Sequence, residues 1–462
     1  MIESKKSKLL FIPYTFTNGG GAEKVLQLLV NNIPQNDYDV SIQEIEQFDK
    51  FLELNGNIKL NYAFFHQTYP SKSFNELNYI LLIHFPKILK DIFKLNNYDS
   101  VITFNYQLPS FMLPAFNNEK KIAWFHGDLY DLLDESKSYE KKLQKNAWKN
   151  TDKIIAISKK SLQSLYDVFP EFKEKAKIIH NGTDIDQLQK KCKENCDINC
   201  DYENNIICIG RLDENKNNIL VVRAVSILIK QGISCNLLLV GIGKEKENLI
   251  NEAKKLGIYD KIHFIGFQKN PYKYLVKSKV LCMSSFSEGW PTVVAESMAL
   301  GIPFVATPVA GASDEMVDNQ NCGLISNYTP EDYAEKIKTL LTQKDLYEKM
   351  SKNCINHVKE YSIENYVKSF INQLNEIPEN KVTKISNSIF PNIIYFILYI
   401  LSIGEIIFRF QIILKRIREK KIIKIIKNII YLFGIIILIP IMFIGKIFYY
   451  PLYINNIKRK NN

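Results

Sequence analysis

The sequence predicts an α/β protein with two doubly wound parallel sheets, followed by an apolar and basic tail. Short β-rich runs alternate with stretches of helical period along residues 1–330, and a polar stretch near residues 185–204 divides them into two sets. Strands that alternate with helices indicate parallel sheets covered by helices on both faces. With 462 residues the chain is long enough for two or three domains.

Several apolar runs are predicted to be strands. In the first half these are Leu9–Pro13, Val101–Phe104, Ile122–Phe125, Ile154–Ile157 and Ile178–His180. In the second half they are Ile206–Ile209, Leu237–Val240, Ile262–Ile265, Val280–Met283 and Phe304–Ala306. Ligands of such sheets bind at the carboxyl ends of the strands, often against helix N-termini, so the residues after each strand are the place to look for a site.

The composition excludes several classes of protein. Hydrophobic residues make up 46% and charged residues 24%, which excludes wholesale disorder, a collagen, a small disulfide scaffold and a multispanning channel. The formal net charge is +11, but residues 385–462 hold twelve Lys or Arg and two Glu and carry most of it. A nearly neutral body with a basic tail does not indicate a nucleic-acid-binding protein, so no nucleic-acid partner is expected.

The eight cysteines are expected to be free thiols in a reducing cytosol. The N-terminus shows no apolar run long enough for a secretory signal. Cys192, Cys196 and Cys200 have a spacing that matches neither zinc sites nor the common cluster motifs. Chance is therefore favoured over a metal site.

The strongest motif is SSFSEGWPTVVAESMALG at residues 284–301, directly after a predicted strand. Pro291 suits the first turn of a helix, and Gly301 suits its C-terminal cap. The backbone amides of Gly289, Thr292 and Val293 would then lie at the positive end of the helix dipole, where they suit an anion such as a diphosphate.

Two carboxylates flank this anion site. Glu288 precedes the helix and Glu296 lies inside it, about 12 Å further along the helix rise. Each could bind neutral hydroxyls on one side of the anion, which is the layout of a nucleotide sugar: ribose, diphosphate, hexose. Taken alone, a helix-dipole contact for Glu288 and a solvated position for Glu296 compete with this interpretation.

Two further loops supply groups for an anion. In IICIGRLDENKN, residues 206–217, Arg211 follows a strand and Lys216 comes five residues later, so both cations could reach one anion at the sheet edge. Without the Glu288 motif, surface cations would be the better interpretation. In FTNGGGAEKVLQLL, residues 16–29, Gly20 and Gly21 allow the backbone close to a phosphate at a helix N-terminus, although a glycine turn alone is weak evidence.

Three short strings complete the set. His126 lies just past a strand in IAWFHGDLYD, and this position beside a glycine favours a site residue over a structural histidine. Gly241 and Gly243 follow another strand, where they could approach the ligand.

In IIHNGTDID, Asn181-Gly182 predicts a turn. Helix capping explains Asp184 and Asp186 better than the metal-binding Asp-x-Asp pattern of some transferases does.

Taken together, the strings GGGAEKVL, HGD, HNGTDID, GRLDENKN and SEGWPTVVAESMALGIPFVAT resemble the retaining glycosyltransferases of family 4, and they occur in family order over roughly residues 8–375. The resemblance implies the GT-B fold, in which two Rossmann-like doubly wound parallel-sheet domains face each other across a cleft. The domains expected are an acceptor-binding domain at 1–184, a linker at 185–204, a nucleotide-sugar-binding domain at 205–361 and a helix at 362–377 that returns to the first domain.

The resemblance also implies roles for the motif residues. Arg211 and Lys216 would hold the donor diphosphate, Glu296 the ribose and Glu288 the transferred sugar, and His126 would lie near the reacting centre. The remaining donor-binding positions expected are Gly20, Gly21, Gly241, Gly243, Gly289, Pro291, Thr292 and Val293. Cations and amides could stabilise the departing diphosphate in place of a divalent ion, so neither a metal nor another cofactor is expected.

Residues 385–462 are predicted to associate with a membrane. Two strongly apolar segments, 389–408 and 429–445, lie near or below the length of about 20 residues that spans a bilayer, and a basic stretch separates them. Nucleotide sugars are cytosolic, and two spans would place the basic stretch outside, against the positive-inside rule. Association with an anionic surface on the cytoplasmic side of the cell membrane is therefore expected, and a helical hairpin or oligomer interface is the alternative.

The sequence thus predicts a retaining glycosyltransferase that moves a hexose or N-acetylhexosamine from a UDP- or GDP-linked sugar to a lipid-linked or growing saccharide acceptor. Cell-surface polysaccharide or glycolipid synthesis is the expected pathway. The alternatives are a GT-B enzyme of another reaction type, such as a phosphorylase or an epimerase, and a non-catalytic membrane-bound scaffold of a polysaccharide assembly complex.

Overall fold

Two parallel sheets with covering helices form the body of the protein. The computed structural model describes residues 6–16, 21–47, 53–61, 63–66, 79, 81–196 and 204–379. Among the described residues the first sheet has seven strands and the second has six, and all the pairings in both are parallel. The two doubly wound sheets that the sequence predicts are confirmed.

The strands are short, as buried parallel strands usually are. In the first sheet they are β1 (Ser7–Pro13), β2 (Tyr38–Gln43), β4 (Lys59–Asn61), β6 (Ser100–Phe104), β7 (Lys120–Trp124), β8 (Lys153–Ala156) and β9 (Ala176–Ile178). In the second they are β10 (Asn205–Ile209), β11 (Asn236–Val240), β12 (Ile262–Gly266), β13 (Val280–Met283), β14 (Phe304–Ala306) and β15 (Gly323–Ile325). The strand order is β4-β2-β1-β6-β7-β8-β9 in the first sheet and β12-β11-β10-β13-β14-β15 in the second. A separate pair consists of β3 (Glu46–Gln47) and β5 (Phe65–His66).

The helices alternate with these strands. They are α1 (Gly21–Asn32), α2 (Pro86–Ile92), α3 (Ser138–Trp148), α4 (Lys159–Val168), α5 (Ile185–Lys191), α6 (Asn218–Lys230), α7 (Lys246–Lys255), α8 (Tyr272–Leu275), α9 (Thr292–Ala299), α10 (Pro330–Thr342), α11 (Lys344–His357) and α12 (Ile363–Asn375). Short 3-10 turns lie at Ser110–Ala115, Tyr130–Leu133, Glu135–Lys137, Pro170–Lys175, Glu214–Lys216, Tyr259–Lys261 and Val358–Tyr361, and Ala312–Met316 forms a π-helical turn.

Both sheets belong to one compact unit, and α2 lies in a second. Among the described residues, 6–66 and 95–379 form the first unit, and 79 and 81–94 are the described part of the second. No helix among the described residues is both long enough and apolar enough to cross a membrane. The predicted membrane-associating tail at 385–462 lies outside the described residues.

Each predicted strand coincides with an observed one to within two residues. The strands that the sequence analysis missed are β2 to β5 and β15. β15 begins at Gly323, where a Cβ would lie 2.8 Å from the ring of Phe304 on the neighbouring strand, so this glycine provides room for a side chain and does not mark a loop.

Helix α12 packs on the first sheet although it follows the second one in sequence. The Phe370 ring lies 5.6 Å from that of Phe11 on β1 and 6.0 Å from that of Trp124 on β7. Lys153 on β8 forms an ion pair of 2.8 Å with Glu376, just beyond the helix. Burial of these aromatic rings is therefore what holds the returning helix in place.

The turn predicted at Asn181-Gly182 is wrong. The segment is extended, and Thr183 forms a parallel bridge with Ser362 at the start of α12. A Cβ at Gly182 would lie 2.6 Å from Cδ1 of Tyr366, so the glycine is required for helix packing and not for a turn. The predicted capping role of Asp184 is confirmed, because its carboxylate accepts a 2.9 Å hydrogen bond from the Gln187 amide in α5.

Candidate functional site

The two strongest motifs meet at the carboxyl ends of β10 and β13, which are neighbours in the second sheet. Asn215 joins the two loops: its carbonyl accepts from the Phe286 amide (2.8 Å), and its side chain accepts from the Ser287 amide (3.2 Å) and donates to the Ser287 carbonyl (3.0 Å). The Ser284 hydroxyl donates to the Lys216 carbonyl at 2.8 Å. The GRLDENKN and SSFSEGW loops therefore form one structural element.

This connection brings Lys216 and Glu288 into contact. The Lys216 ammonium lies 2.5 Å from the Glu288 carboxylate, and only 21% and 16% of the two side chains are exposed. The Asp213 carboxylate accepts from the Lys216 amide at 3.1 Å and so fixes the short turn that carries the lysine. A half-buried cation is therefore held beside a half-buried carboxylate at the sheet edge.

Arg211 and Lys216 line the same small cavity at the strand ends, together with Gly210, Ser284 and Ser285. The Arg211 side chain is 79% exposed and touches Asp213 at 3.2 Å. Its guanidinium is thus restrained only at the surface and can turn toward an anion in the cavity. The shared cavity agrees with the prediction that both cations face one site.

Helix α9 starts at Thr292, one residue after Pro291, which occupies the N-cap instead of the predicted first turn. A proline N-cap has no side-chain acceptor, so the amides of the first turn depend on other partners, and an anion is a suitable one. Gly301 follows the helix with φ +69°, as predicted for its C-terminal cap.

Glu296 is not the solvated helix residue that the alternative interpretation required. Its carboxylate accepts a 3.0 Å hydrogen bond from the Tyr272 hydroxyl. Burial raises the pKa of Glu296, against the lowering effects of the Tyr272 hydrogen bond and of the nearby cations Lys24 and Lys191. Lys24 lies on α1 of the first sheet's layer, so Glu296 faces the groups of both halves of the unit.

Gly241 and Gly243 are explained by close backbone packing. A Cβ at Gly241 would lie 1.8 Å from the Gly210 carbonyl oxygen, and one at Gly243 would lie 2.1 Å from that of Leu212. The loops after β10 and β11 therefore touch through their backbones, and these glycines shape the loop that carries Arg211. Their predicted approach to the ligand stays a prediction.

Glycines also bring the two halves of the body together. A Cβ at Gly289 would lie 2.6 Å from the amide nitrogen of Gly127, which itself has φ +108°. Nearby, the Glu315 carboxylate accepts a 2.7 Å hydrogen bond from the Lys159 amide at the start of α4. The loop of Glu288 thus faces the loop of His126 at backbone distance.

His126 packs its ring against Phe104 at 4.3 Å. Its Nε2 atom is buried and has no hydrogen-bond partner among the described residues. Burial lowers the pKa of His126 to about 3, so the imidazole is neutral near pH 7. It can exchange hydrogen bonds with a sugar hydroxyl, but it carries no charge to place against a phosphate.

The glycine loop after β1 is described only in part. Gly21 begins α1, and a Cβ there would meet no described atom within 4 Å. The other predicted glycine, Gly20, lies outside the described residues. The predicted approach of both glycines to a phosphate stays a prediction.

Two of the three closely spaced cysteines lie among the described residues. Cys192 and Cys196 direct their thiols to the carbonyls of Gln189 (3.3 Å) and Lys273 (3.2 Å), and Cys200 lies outside the described residues. In the part of the chain that the structure describes, no group of three or more His, Cys, Asp or Glu side chains could hold a metal ion.

The sequence analysis missed two residues of the site. Asn215 stands inside the GRLDENKN string, and its position next to Lys216 was a usable clue. Tyr272, which bonds Glu296, comes from α8 and gives no local signal, because only the fold brings that helix to the side of α9.

Comparisons with known proteins agree with this architecture. The sequence model for glycosyltransferase family 4 matches residues 19–187, and that for glycosyl transferases group 1 matches residues 199–357. Anabaena HepE in complex with UDP has the same fold, with a TM-score of 0.63 and 16% identity over 80% of this chain and all of that one.

Two curated relatives come from Campylobacter jejuni. The chain is 30% identical over 203 residues to N-acetylgalactosamine-N,N'-diacetylbacillosaminyl-diphospho-undecaprenol 4-alpha-N-acetylgalactosaminyltransferase, a match that covers 44% of this chain and about half (54%) of the relative. It is 25% identical to GalNAc-alpha-(1->4)-GalNAc-alpha-(1->3)-diNAcBac-PP-undecaprenol alpha-1,4-N-acetyl-D-galactosaminyltransferase, over 80% of this chain and 99% of that one.

Paired parallel-sheet domains whose loops meet at the strand ends define the GT-B class of proteins. Two family models that together span most of the chain place it more narrowly within that class. The chain belongs to the GT-B glycosyltransferases of the family 4 type.

Proposed function

We propose that this protein is a retaining glycosyltransferase that moves a hexose or N-acetylhexosamine from a UDP- or GDP-linked sugar to a lipid-linked or growing saccharide acceptor. The observation that carries the proposal is the Lys216–Glu288 contact at the rim of a cavity that Arg211 also lines. A cation for phosphate and a carboxylate for sugar hydroxyls lie side by side there, as a sugar diphosphate requires.

In this proposal the donor lies along the edge of the second sheet. Lys216 and Arg211 hold the diphosphate, and the first amides of α9 add hydrogen bonds at the positive end of that helix. Glu288 binds the hydroxyls of the transferred sugar. Glu296, on the other side of the helix start, binds the ribose hydroxyls, and Tyr272 keeps its carboxylate in place.

The remaining contacts come from the first half. Gly20 and Gly21 approach the diphosphate at the start of α1. His126, which is neutral, shares a hydrogen bond with the transferred sugar. Because Gly289 touches Gly127, the reacting carbon would lie between the Glu288 loop and the His126 loop.

The reaction breaks the bond between the anomeric carbon and the phosphate oxygen and forms a bond from that carbon to an acceptor hydroxyl oxygen on the same face. The bonding electrons leave with the nucleoside diphosphate, and the hydroxyl proton passes to the departing phosphate. Lys216, Arg211 and the α9 amides stabilise the growing negative charge, so the reaction needs no divalent ion.

The acceptor and the location follow from the relatives and from the tail. Both Campylobacter relatives carry diphospho-undecaprenol acceptors in their names, which supports a lipid-linked saccharide and synthesis of a cell-surface polysaccharide or glycolipid. The apolar and basic residues of 385–462 would hold the enzyme at an anionic membrane surface on the cytoplasmic side.

A donor screen tests the proposal directly. Purified protein is mixed with a panel of UDP- and GDP-sugars, and thermal shift and slow donor hydrolysis are measured. We expect one donor to be hydrolysed and to raise the melting temperature, because a ligand that binds only the folded state stabilises the protein. Activity with sugar 1-phosphates only would indicate a phosphorylase, sugar epimerisation an epimerase, and no binding at all a scaffold.

A further inference from the structure

The edge of the first sheet that faces the Glu288 loop carries a second set of polar side chains. Strands β6 and β7 pair in register with Phe104 opposite Trp124, and the Asn105 amide donates to the Trp124 carbonyl at 2.8 Å. The chain therefore leaves both strands at the same place. The loop after β6 and the loop after β7, which carries His126, run side by side.

The loop after β6 is held in an unusual conformation. Asn105 and Gln107 have φ angles of +130° and +60°, which residues other than glycine seldom adopt. The buried side chain of Gln144 accepts from the Gln107 amide at 2.6 Å, and the Ser110 hydroxyl donates to the Asn105 carbonyl at 3.2 Å. These contacts fix the loop and present Tyr106 between them.

Tyr106 meets a carboxylate from the neighbouring loop. Its hydroxyl donates to Asp131 across 3.4 Å, which is long for an O–H···O hydrogen bond. The other oxygen of Asp131 accepts from the Lys137 ammonium at 2.9 Å, so the carboxylate is held in place from behind. Burial and the charge of Asp131 raise the pKa of Tyr106 to about 12, so the phenol keeps its proton.

Such a pair has the chemistry of a sugar subsite. A sugar hydroxyl both donates and accepts hydrogen bonds, and a protonated phenol beside a fixed carboxylate offers one of each. The long contact between Tyr106 and Asp131 can be exchanged for two shorter ones through a hydroxyl. Asp128 lies near the same phenol.

A second observation concerns His126, which the proposed function assigns to the transferred sugar. The Nε2 atom of His126 is buried without a hydrogen-bond partner among the described residues. Buried polar atoms in proteins seldom lack such a partner, so a ligand group is a suitable one for this atom. The adjacent Gly127 touches Gly289 of the opposite loop. A ligand group bound at Tyr106 and Asp131 would therefore lie beside the donor sugar.

We propose that Tyr106 and Asp131, with Asp128 beside them, form the acceptor subsite and bind hydroxyls of the terminal sugar of a saccharide acceptor. This inference rests on the proposed function and adds which residues select the acceptor. Lys137 acts as a positioning residue that holds the Asp131 carboxylate in its orientation through the 2.9 Å contact.

The test separates the acceptor from the donor within one enzyme. The full-length chain is given the nucleotide sugar that the donor screen selects, in labelled form. Hydrolysis by water reports the donor site, and transfer into the total lipid extract of the source cells reports the acceptor site. The variants are Tyr106→Phe and Asp131→Asn, which keep the shape of the side chains.

We expect each variant to transfer sugar about tenfold more slowly at low extract concentration, with the loss recovered at high concentration, and to hydrolyse the donor within about twofold of the wild-type rate. Tyr130→Phe is the matched control, because its phenol also bonds a carboxylate, Asp167 at 2.9 Å, but on the side of α4. It should leave both rates unchanged.

Three results would overturn the subsite: wild-type transfer rates in both variants, loss of hydrolysis in step with transfer, or a wild type that hydrolyses the donor but transfers nothing to the extract. A wild-type protein that neither binds nor hydrolyses any nucleotide sugar would instead refute the proposed function itself. The two failures are therefore distinguished by the hydrolysis assay.

Discussion

The Lys216 ammonium and the Glu288 carboxylate are in contact at 2.5 Å, although 72 residues separate them in the chain. Two loops joined through Asn215 create this contact. In the proposed reaction the lysine serves the phosphate and the glutamate serves the sugar. The ion pair therefore keeps both side chains at the site and neutralises their charges while no donor is bound.

Removal of either cation should impair catalysis without unfolding the protein. We expect Lys216→Ala and Arg211→Ala to lower turnover by about 10²–10³-fold, because each substitution removes a positive charge that would stabilise the departing diphosphate. Circular dichroism should be unchanged. Lys244→Ala is the control, since its surface ion pair with Glu214 lies on the neighbouring loop. Near-native turnover in both site variants would refute the phosphate assignment.

Glu288→Gln should have opposite effects on product binding and on catalysis. Loss of the carboxylate charge releases the Lys216 ammonium, so a nucleoside diphosphate should bind more tightly, by about threefold to tenfold. Transfer should fall, because the amide binds sugar hydroxyls less well than the carboxylate does. Calorimetry with UDP and GDP and a transfer assay measure the two effects. Weaker diphosphate binding would contradict the proposed sharing of Lys216.

Activity should survive a chelator. Donor hydrolysis in the presence of excess EDTA is expected to match the rate without it, because in the proposed reaction cations and amides of the chain would face the diphosphate. Addition of Mg²⁺ or Mn²⁺ after dialysis is the complementary measurement. If EDTA abolished the activity, the Asp184-x-Asp186 string would return as a candidate metal ligand, in spite of the cap that Asp184 provides to α5.

Burial of His126 predicts a pH-dependent stability. The pKa of His126 is about 3 in the folded protein against an ordinary value of 6.5, so below pH 6.5 the unfolded chain binds a proton that the folded one does not. Its contribution is fully present above pH 6.5 and is lost as pH falls toward 3, at up to about 1.4 kcal/mol per pH unit. Urea unfolding of His126→Gln at pH 5 and pH 7 should show a smaller difference than wild type does, and equal differences would contradict the assignment.

Gly182→Ala should destabilise the protein by about 1–3 kcal/mol, because the added methyl group would overlap the Tyr366 ring. Gly56→Ala is the matched control, since a Cβ there meets no described atom within 4 Å. Free energies of unfolding from urea titrations decide the question. A neutral effect at Gly182 would show that the crossing of the chain near α12 is looser than the packing indicates.

The sequence was most informative where a pattern is local. Short apolar runs that alternate with stretches of helical period predicted both sheets, and the positions of Arg211, Lys216 and Glu288 just after predicted strands predicted one shared site. Asn181-Gly182 was misinterpreted because its glycine makes room for the ring of Tyr366, which lies nearly two hundred residues away in the sequence. The same holds for Tyr272, whose contact with Glu296 exists only once both helices are packed. A residue whose role depends on a contact with a distant part of the chain shows no pattern in its local sequence.

At the contact between Gly127 and Gly289, the two loops meet through main-chain atoms. A Cβ at Gly127 would meet no described atom within 4 Å, and glycine is favoured there by its φ of +108° instead. A Cβ at Gly289 would lie 2.6 Å from the Gly127 amide nitrogen, so an alanine at position 289 would push the two loops apart. In the proposed reaction, bulk solvent could then reach the donor sugar, so more of the donor would be hydrolysed and less of it transferred to the acceptor.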